Sequence, residues 1–324
     1  VGWRPAVLFS DGAEHRRHRA AVSDALAQTD GHALRRTVRA ASEELITAFA
    51  GRGEADLLAH YAQKMPLEVI RHLLGVDGRT GQQLVEAIAG LTAASAYSHD
   101  ASRRLGETLR TLVEHKRRRP GRDVASGLLQ HEAALSDEEV LHNLIVMIVA
   151  GNQTVKNWIA STLRLLLTDP PLRSSLSEGS STIDAALEVV LWRFPPTQNF
   201  PARYATRDVE LGGRDIGQGD MLVLGLAGAN ADPHVLPPDG RPVPGNRAHL
   251  AFGAGPHACP AQDTARLIAR TAVETVCHRL PELALAVPEH ELVWTASPWT
   301  RGLAALPVRF APPRPATTPH GGTS

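Results

Sequence analysis

The sequence predicts a mainly α-helical protein with small β-sheets attached, and two observations support this. Through most of the chain before Pro195 and Pro196, apolar residues recur at three- and four-residue spacing without strand-like alternation. After those prolines, short apolar segments are joined by glycine turns, as in small sheets. We therefore predict one domain over residues 1–310, followed by a disordered tail rich in Pro, Thr and Gly over residues 311–324.

Helices are predicted from the spacing of apolar residues and from the breaks between them. The predicted helices are Val22–Leu26, Leu34–Phe49, Leu57–Leu74, Ser136–Leu167 and Gln262–Leu280. The fourth begins with a capping box, in which Ser136 is followed three residues later by Glu139. From the rise per residue of an α-helix, this helix would be roughly 45 Å long and would cross the whole domain.

Strands are predicted in the last third of the chain. The predicted strands are Val209–Leu211, Met221–Leu224, Leu283–Val287 and Leu303–Phe310. Glycine turns separate the first two, and a loop rich in Pro and Gly over residues 233–245 leads to the last helix. The strands are short, so the sheets should be small additions to a helical domain.

The composition excludes several classes of protein. The 34 Lys and Arg residues balance 34 Asp and Glu residues, and aromatic residues make up 4% of the chain, so a nucleic-acid-binding protein is not expected. Two cysteines cannot form a disulfide framework and favour a reducing, cytoplasmic location. The longest apolar run, Leu144–Ala150, is too short to span a membrane.

The segment Phe252-Gly-Ala-Gly-Pro-His-Ala-Cys259 is the most informative part of the sequence, and it leads into the predicted helix at Gln262. Its glycines allow a close approach of the backbone to another group, or a positive φ. Amide dipoles at a helix N-terminus favour the thiolate form of a cysteine, and a thiolate is a metal ligand or a nucleophile. The alternative is a buried, inert cysteine, which is our interpretation of Cys277 deeper in the same helix.

This segment resembles the haem-binding loop of the cytochrome P450 superfamily, Phe-x-x-Gly-x-x-x-Cys, through Phe252, Gly255 and Cys259. The resemblance implies the cytochrome P450 fold and haem b, with Phe252 and Gly253 at the haem and Cys259 as the axial thiolate ligand of its iron. The similarity covers about residues 11–310. The N-terminal strands and substrate cap of the family lie upstream of that range, so the chain resembles an N-terminally truncated member.

Other segments agree with this family in the same order along the chain. Asp11–Arg19 looks like the family's helix at the haem edge, where His15 and Arg19 share one face and would both meet the haem propionates. Arg203 and His249 match two further positions beside the propionates. For the basic segment of Asp11–Arg19 taken alone, a solvated helix face is the alternative.

The long helix carries Ala150-Gly-Asn-Gln-Thr154, which resembles the family's motif on the distal side of the haem. Gly151 would leave room above the iron, and the Thr154 hydroxyl can bond a preceding carbonyl and so open a groove for O2 and water. The resemblance implies that Thr154 binds oxygen and helps to deliver protons. Gln153 stands at the acid position of the motif, and it can hold water but cannot ionise. A packing role for Gly151 and Thr154 is the alternative.

A second family signature, Glu-x-x-Arg before the two prolines, is incomplete. Glu188 is present, but Leu191 stands at the arginine position. Arg193 lies five residues after Glu188 and off its helix face, whereas Trp192 shares that face. We expect the Trp192 indole N–H, or a neighbouring backbone group, to satisfy Glu188. The Glu-x-x-Leu-Trp form resembles that of an actinobacterial P450 subgroup.

The resemblance implies a haem-thiolate monooxygenase that oxidises a small organic substrate with O2 and with electrons from a ferredoxin and its reductase. Arg16–Arg19 is expected to contribute to the docking face for this acidic partner. Candidate substrate contacts are Thr197, Gln198, Asn199 and Trp299. The alternative is a haem-binding sensor or regulatory partner with little or no turnover, which Gln153 and Leu191 favour.

Pro260 follows the cysteine at a position where the family usually has a residue with an amide N–H. Hydrogen bonds to the ligand sulfur tune the potential of a haem iron, and each added donor raises it. We therefore predict that Pro260→Leu, which restores the N–H, raises the reduction potential of the haem-loaded protein in a potentiometric titration. Equal potentials for the variant and the parent would contradict this prediction.

Overall fold

The computed structural model describes residues 4–76, 78–92, 98–179, 181–235 and 245–312, and the predicted mainly α-helical architecture with small sheets is confirmed. The helices are α1 (Gly12–Ala27), α2 (Gly31–Ala50), α3 (Met65–Leu73), α4 (Gly78–Thr92), α5 (Ser98–Arg118), α6 (Val124–Gln130), α7 (Asp137–Thr168), α8 (Pro170–Ser177), α9 (Ile183–Arg193), α10 (Leu226–Asn230) and α11 (Gln262–Arg279). The strands are β1 (Glu54–Asp56), β2 (Phe200–Tyr204), β3 (Val209–Leu211), β4 (Arg214–Ile216), β5 (Met221–Leu224), β6 (Ala284–Leu285) and β7 (Pro307–Arg309).

The long helix predicted from the capping box is α7. The Ser136 hydroxyl accepts a hydrogen bond from the Glu139 N–H (3.2 Å), and the Glu139 carboxylate accepts one from the Ser136 N–H (2.7 Å). Two amide donors at the start of the helix are thereby satisfied. Further along, the Trp158 indole N–H donates to the Leu187 carbonyl (3.1 Å), which joins α7 to α9.

The single helix predicted over Leu57–Leu74 is wrong. The chain forms β1, then one wide helical turn over Leu58–Ala62, and only then α3. The Asp56 carboxylate accepts hydrogen bonds from the Leu58 N–H (2.9 Å) and from the Leu306 N–H (2.8 Å). The strand therefore ends just before the predicted helix, and the helix itself is broken at Gln63 and Lys64, ahead of Pro66, which has no N–H to continue the preceding helical turn.

The sheets of the described residues are antiparallel. β7 lies between β1 and β6, β2 pairs with β5, and β3 pairs with β4. The predicted strands Leu283–Val287 and Leu303–Phe310 are shorter in the structure, where they correspond to β6 and β7. In the sheet that follows the two prolines, Arg203 lies opposite Leu222.

α7 belongs to both of the apolar cores. The first half of α7 packs with α1, α3, α4, α5 and α6, and its second half packs with α2, α9 and α11. Residues 149–154 lie where the helix passes from one core to the other, and Val149 there is 52% exposed. This passage leaves part of the helix surface uncovered at the position of the predicted distal motif.

No helix in the described ranges is long and apolar enough to cross a membrane. Residues 313–324, most of the predicted disordered tail, lie outside the described residues. The single domain over residues 1–310 stays a prediction.

The capping box yields a test of the fold. Ser136→Ala removes the acceptor for the Glu139 N–H, and we predict a loss of about 1 kcal/mol in the free energy of unfolding, measured by urea denaturation. Ser136→Thr keeps the hydroxyl and is the matched control. If both variants unfold at the same urea concentration as the parent chain, the cap contributes nothing.

Candidate functional site

Residues Phe252–Cys259 form a closed loop just before α11, called here the cysteine loop. Gly253 and Gly255 both have φ of +68°, in the left-handed region that favours glycine. These turns bring the Cys259 N–H to the Phe252 carbonyl, to which it donates a hydrogen bond (2.8 Å). The loop therefore holds the sulfur at the N-terminal end of α11.

The surroundings of the Cys259 sulfur act in two directions. Burial raises the pKa of the Cys259 thiol, while the Ala261 N–H and the charges of Arg19 and Arg266 act to lower it. The helix N-terminus does act toward the thiolate, through the Ala261 N–H, but in the protein alone the loss of hydration outweighs it and the pKa of the thiol is raised. Pro260 lacks an N–H, but the Ala261 amide is a donor to the sulfur.

Two predicted residues of α1 reach the cysteine loop. Arg19 donates from Nη1 to the carbonyl of Ala258, the residue before Cys259. The ring centroid of His15 lies 4.0 Å from that of His257. His15 is buried, and its Nε2 has no hydrogen-bond partner in the protein. This polar atom is available to a group that enters beside the loop.

The rest of the basic segment of α1 is only partly exposed. Arg17 is paired with the carboxylates of both Glu14 and Glu139. His18 is completely buried, with its Nε2 3.1 Å from the Glu14 carboxylate. Arg16 is exposed. The docking role of Arg16–Arg19 toward a ferredoxin stays a prediction.

Glu188 is satisfied by other partners than the one expected. Its two oxygens contact His249 Nε2 (2.9 Å) and Arg266 Nε (2.8 Å). Burial alone would raise the pKa of Glu188, but these hydrogen bonds outweigh it and lower the pKa. The Trp192 indole N–H donates instead to the Asn246 carbonyl (2.9 Å), so the predicted Trp192–Glu188 bond is wrong. The indole is thereby bonded to the segment that precedes His249.

Sequence reasoning missed Arg266. A signal was present in the spacing, because Asp184 and Glu188 are four residues apart in α9, and Arg266 and Arg270 are four apart in α11. In the structure Arg270 Nε contacts the Asp184 carboxylate (2.6 Å). Matching spacings on two helices indicate a pairing only once the helices are known to lie side by side.

α7 packs directly against the cysteine loop. The rings of Trp158 and Phe252 meet edge to face, with their centroids 5.8 Å apart. One turn earlier, the Thr154 hydroxyl donates to the Ala150 carbonyl (2.6 Å), as the sequence predicts. A Cβ placed on Gly151 would meet no atom within 4 Å, so the helix has open space beside it there.

Three further predicted residues lie away from these contacts. Gln153 is half-buried on α7. Arg203 is half-buried in β2, where its Nη1 donates to the Ala202 carbonyl (3.1 Å). Thr197 forms a bridge with Thr300. Their predicted roles toward haem and substrate stay predictions.

The other substrate candidates form one turn. Gln198 Nε2 donates to the Ser297 carbonyl (2.6 Å), and Asn199 Nδ2 donates to the Pro298 carbonyl (2.7 Å). The Trp299 carbonyl accepts the Gln198 N–H (2.9 Å), and the Trp299 side chain is 40% exposed. The two amide side chains therefore hold the turn that presents Trp299.

Comparison with known proteins identifies relatives along most of the chain, although no protein-family model matches it. The cytochrome P450 monooxygenase PikC of Streptomyces venezuelae is 33% identical over 94% of this chain and 76% of its own length. The vitamin D(3) 25-hydroxylase of Pseudonocardia autotrophica is 31% identical over 95% of this chain and 78% of its own.

Solved structures agree with these relatives. The myxobacterial cytochrome P450 CYP267B1, in complex with myristic acid, has a TM-score of 0.84 and 31% identity over 95% of this chain and 79% of its own. CYP109E1 of Bacillus megaterium, in complex with testosterone, has a TM-score of 0.85 and 26% identity over 94% of this chain and 86% of its own.

The fold and the relatives define an oxygen-using, haem-dependent oxidoreductase. The chain belongs to the cytochrome P450 superfamily and is a monooxygenase.

The residues around the cysteine loop fit haem. Two buried nitrogens without a partner, His15 Nε2 and His249 Nδ1, are suitable donors for its carboxylates. Arg19 adds a guanidinium at the loop, and the uncovered surface at Gly151 offers space. The sulfur of Cys259 is the one soft ligand in this loop.

The environment of His15 gives a pH-dependent prediction for the haem-free chain. Burial, and then the neighbouring His257, lower the pKa of His15. As the pH falls, the unfolded chain is protonated at this histidine at a higher pH than the folded chain. The free energy of unfolding therefore decreases as the pH falls through the ordinary histidine pKa of about 6.5. His15→Gln should lose less stability between about pH 7.5 and about pH 5.5 in urea denaturation. The exposed His290→Gln is the control, and equal losses for both variants would contradict the prediction.

Proposed function

We propose that this enzyme oxidises a small, largely apolar organic substrate beside Gly151, with Cys259 as the thiolate ligand of haem b and a ferredoxin with its reductase as the electron source. The observation that carries the proposal is the packing of the cysteine loop on α7 through the Trp158 and Phe252 rings, about two helical turns from the open space at Gly151 on the same helix. Bound haem supplies the activation of O2 with two electrons. The residues of the chain bind the haem, orient it and handle protons.

His249 and His15 supply donors for the haem propionates in this proposal. His249 Nε2 contacts Glu188, and its Nδ1 is buried without a partner. A doubly protonated His249 would donate one N–H to Glu188 and the other to a propionate. His15 Nε2 is placed for a second such bond. Arg19 and Arg203 each keep further guanidinium donors beyond the carbonyl that they already contact.

Thr154 holds a proton at Oγ1 in this proposal. The hydroxyl now donates to the Ala150 carbonyl, and its lone pairs can accept a hydrogen bond from water in the open space beside the helix. Turning away from Ala150, the hydroxyl can pass its proton into that space and take another from water. Gln153 holds water through its amide but does not ionise, so proton delivery depends on water and Thr154.

An apolar substrate suits the exposed surface near the distal motif. Val149 on α7 is 52% exposed and Trp299 on its turn is 40% exposed, and both offer apolar contact area. The two solved neighbours carry myristic acid and testosterone, which are both largely apolar. Thr197, Gln198 and Asn199 would act on the substrate mainly by holding the Trp299 turn in place.

In this proposal the ferredoxin docks on a basic surface of α2. Arg35, Arg36 and Arg39 are exposed there, on the side of the helix away from the core. Gly31 at the start of α2 lies beside Leu267 of α11, so this surface adjoins the helix that follows the cysteine loop. Charge complementarity with an acidic ferredoxin would raise the association rate. This surface is proposed in addition to the docking role expected of Arg16–Arg19 on α1.

The substrate class and the electron source are tested with a surrogate ferredoxin and reductase. Product formed from an apolar substrate in proportion to the NADPH consumed supports the proposal. A haem spectrum without any product over a panel of apolar substrates would contradict it. The relatives named as a monooxygenase and a hydroxylase count against the alternative of a haem-binding sensor or regulatory partner without turnover.

The ligand assignment is tested by two matched cysteine variants. Cys259→Ala should abolish the thiolate-type Soret band of the reduced protein with CO, because the iron then lacks its sulfur ligand. Cys277→Ala should keep the band, because Cys277 lies in α11 well beyond the cysteine loop, and its side chain is exposed rather than buried as predicted from the sequence. Retention of the band in Cys259→Ala, or its loss in Cys277→Ala, would contradict the assignment.

A further inference from the structure

We propose that Arg266 is the positioning residue that ties α9 to the cysteine loop in this chain, in place of the arginine that is missing from its Glu-x-x-Arg signature. The inference deepens the proposed function and rests on Cys259 as the haem ligand. It concerns how the loop that carries the sulfur is held.

The two oxygens of Glu188 each have a partner of their own. Oε1 contacts Arg266 Nε at 2.8 Å, and Oε2 contacts His249 Nε2 at 2.9 Å. Glu188 is only 8% exposed, and a buried carboxylate that loses its cation is strongly destabilising. Arg247 also approaches Oε1, but its Nε is 3.7 Å away and its side chain is 55% exposed. Of the two arginines at this carboxylate, Arg266 is therefore the one whose loss would leave Glu188 without a guanidinium at hydrogen-bond distance.

Neither the arginine position of the Glu-x-x-Arg signature nor the nearby arginine of α9 supplies a cation to Glu188. Leu191, at the arginine position itself, is apolar and 1% exposed within the core. The guanidinium of Arg193 lies over the Phe194 ring, 5.2 Å from its centroid. The cation for Glu188 has to come from another element, and α11 provides it.

Arg266 also contacts the cysteine loop. Its guanidinium carbon lies 4.8 Å from the centroid of the Phe252 ring, within the range of a cation–π interaction. The Phe252 carbonyl in turn accepts the Cys259 N–H (2.8 Å). One side chain thus contacts Glu188 of α9 and the first residue of the loop, and the backbone of that residue is bonded to the sulfur-bearing residue. The positive charge of Arg266 also acts to lower the pKa of Cys259.

Arg270 provides a control within the same pair of helices. Its Nε contacts the Asp184 carboxylate at 2.6 Å, so α9 and α11 are joined by two ion pairs one helical turn apart. The Asp184–Arg270 pair is about a third exposed on each side, and it lies one turn farther along α11 from the loop. A structural role in joining the helices applies to both arginines, whereas contact with Phe252 is specific to Arg266.

The first experiment compares Arg266→Leu with Arg270→Leu in the haem-loaded full chain. The readout is the fraction of reduced protein that shows the thiolate-type Soret band with CO. Arg266→Leu should reduce this fraction several-fold, and Arg270→Leu should leave it at the parent value. Equal fractions in both variants, whether both reduced or both unchanged, would overturn the proposal.

The second experiment is a double-mutant cycle of Glu188→Gln, Arg266→Leu and the double variant, followed by urea unfolding of the full chain. Breaking the pair should raise the unfolding equilibrium constant roughly hundred-fold in Arg266→Leu, and much less when Glu188 is already Gln. Additive effects would overturn the proposal.

The two outcomes separate this inference from the proposed function. If the parent chain shows no thiolate-type band, the ligand role of Cys259 is wrong. The double-mutant cycle would still test the Glu188–Arg266 pair. If Arg266→Leu yields no folded protein, Glu188→Gln carries the spectral test. A thiolate-type fraction equal to that of the parent in Glu188→Gln would then overturn the proposal.

Discussion

A carboxylate that is buried between helices has to be paired, and the cysteine loop, α9 and α11 are arranged around that requirement. The Glu188 carboxylate brings together a histidine from the segment before the cysteine loop and an arginine from the helix after it. Because the loss of hydration of a buried charge is large, neither partner can move away without a large loss of stability. The cysteine loop is held between these two anchors, and its own backbone bond from Cys259 to Phe252 completes the arrangement.

The open surface at Gly151 depends on one helix, α7, that belongs to two cores. α7 is packed on one side at its start and on another at its end, so a few residues in the middle are covered by neither core. Gly151 lies in that passage, where the absence of a side chain adds to the open surface. The same helix contacts the cysteine loop through Trp158. The long helix therefore fixes the separation between the loop and the open surface as a consequence of ordinary core packing.

Local signals carried most of the sequence prediction. The capping box at Ser136, the closed cysteine loop and the Thr154 hydrogen bond involve residues close together in the chain, so residue type and spacing predict them. The partners of Glu188 lie 61 and 78 residues away, and their identity depends on how α9 and α11 pack. Spacing alone therefore selected Trp192, which is near in sequence. The direction of the Cys259 pKa shift also depends on burial, which a sequence does not state.

The positions of the tryptophans give this protein its own optical reporters. Trp158 and Trp192 are each 2% exposed, and their rings lie against those of Phe252 and His249 respectively. Trp294 and Trp299 are 38% and 40% exposed on the segment that faces solvent. The intrinsic fluorescence of the described residues therefore divides into a shielded component near Phe252 and His249 and a solvated component from Trp294 and Trp299. Quenching by a water-soluble agent would distinguish rearrangement of the loop from rearrangement of the turn without any attached label.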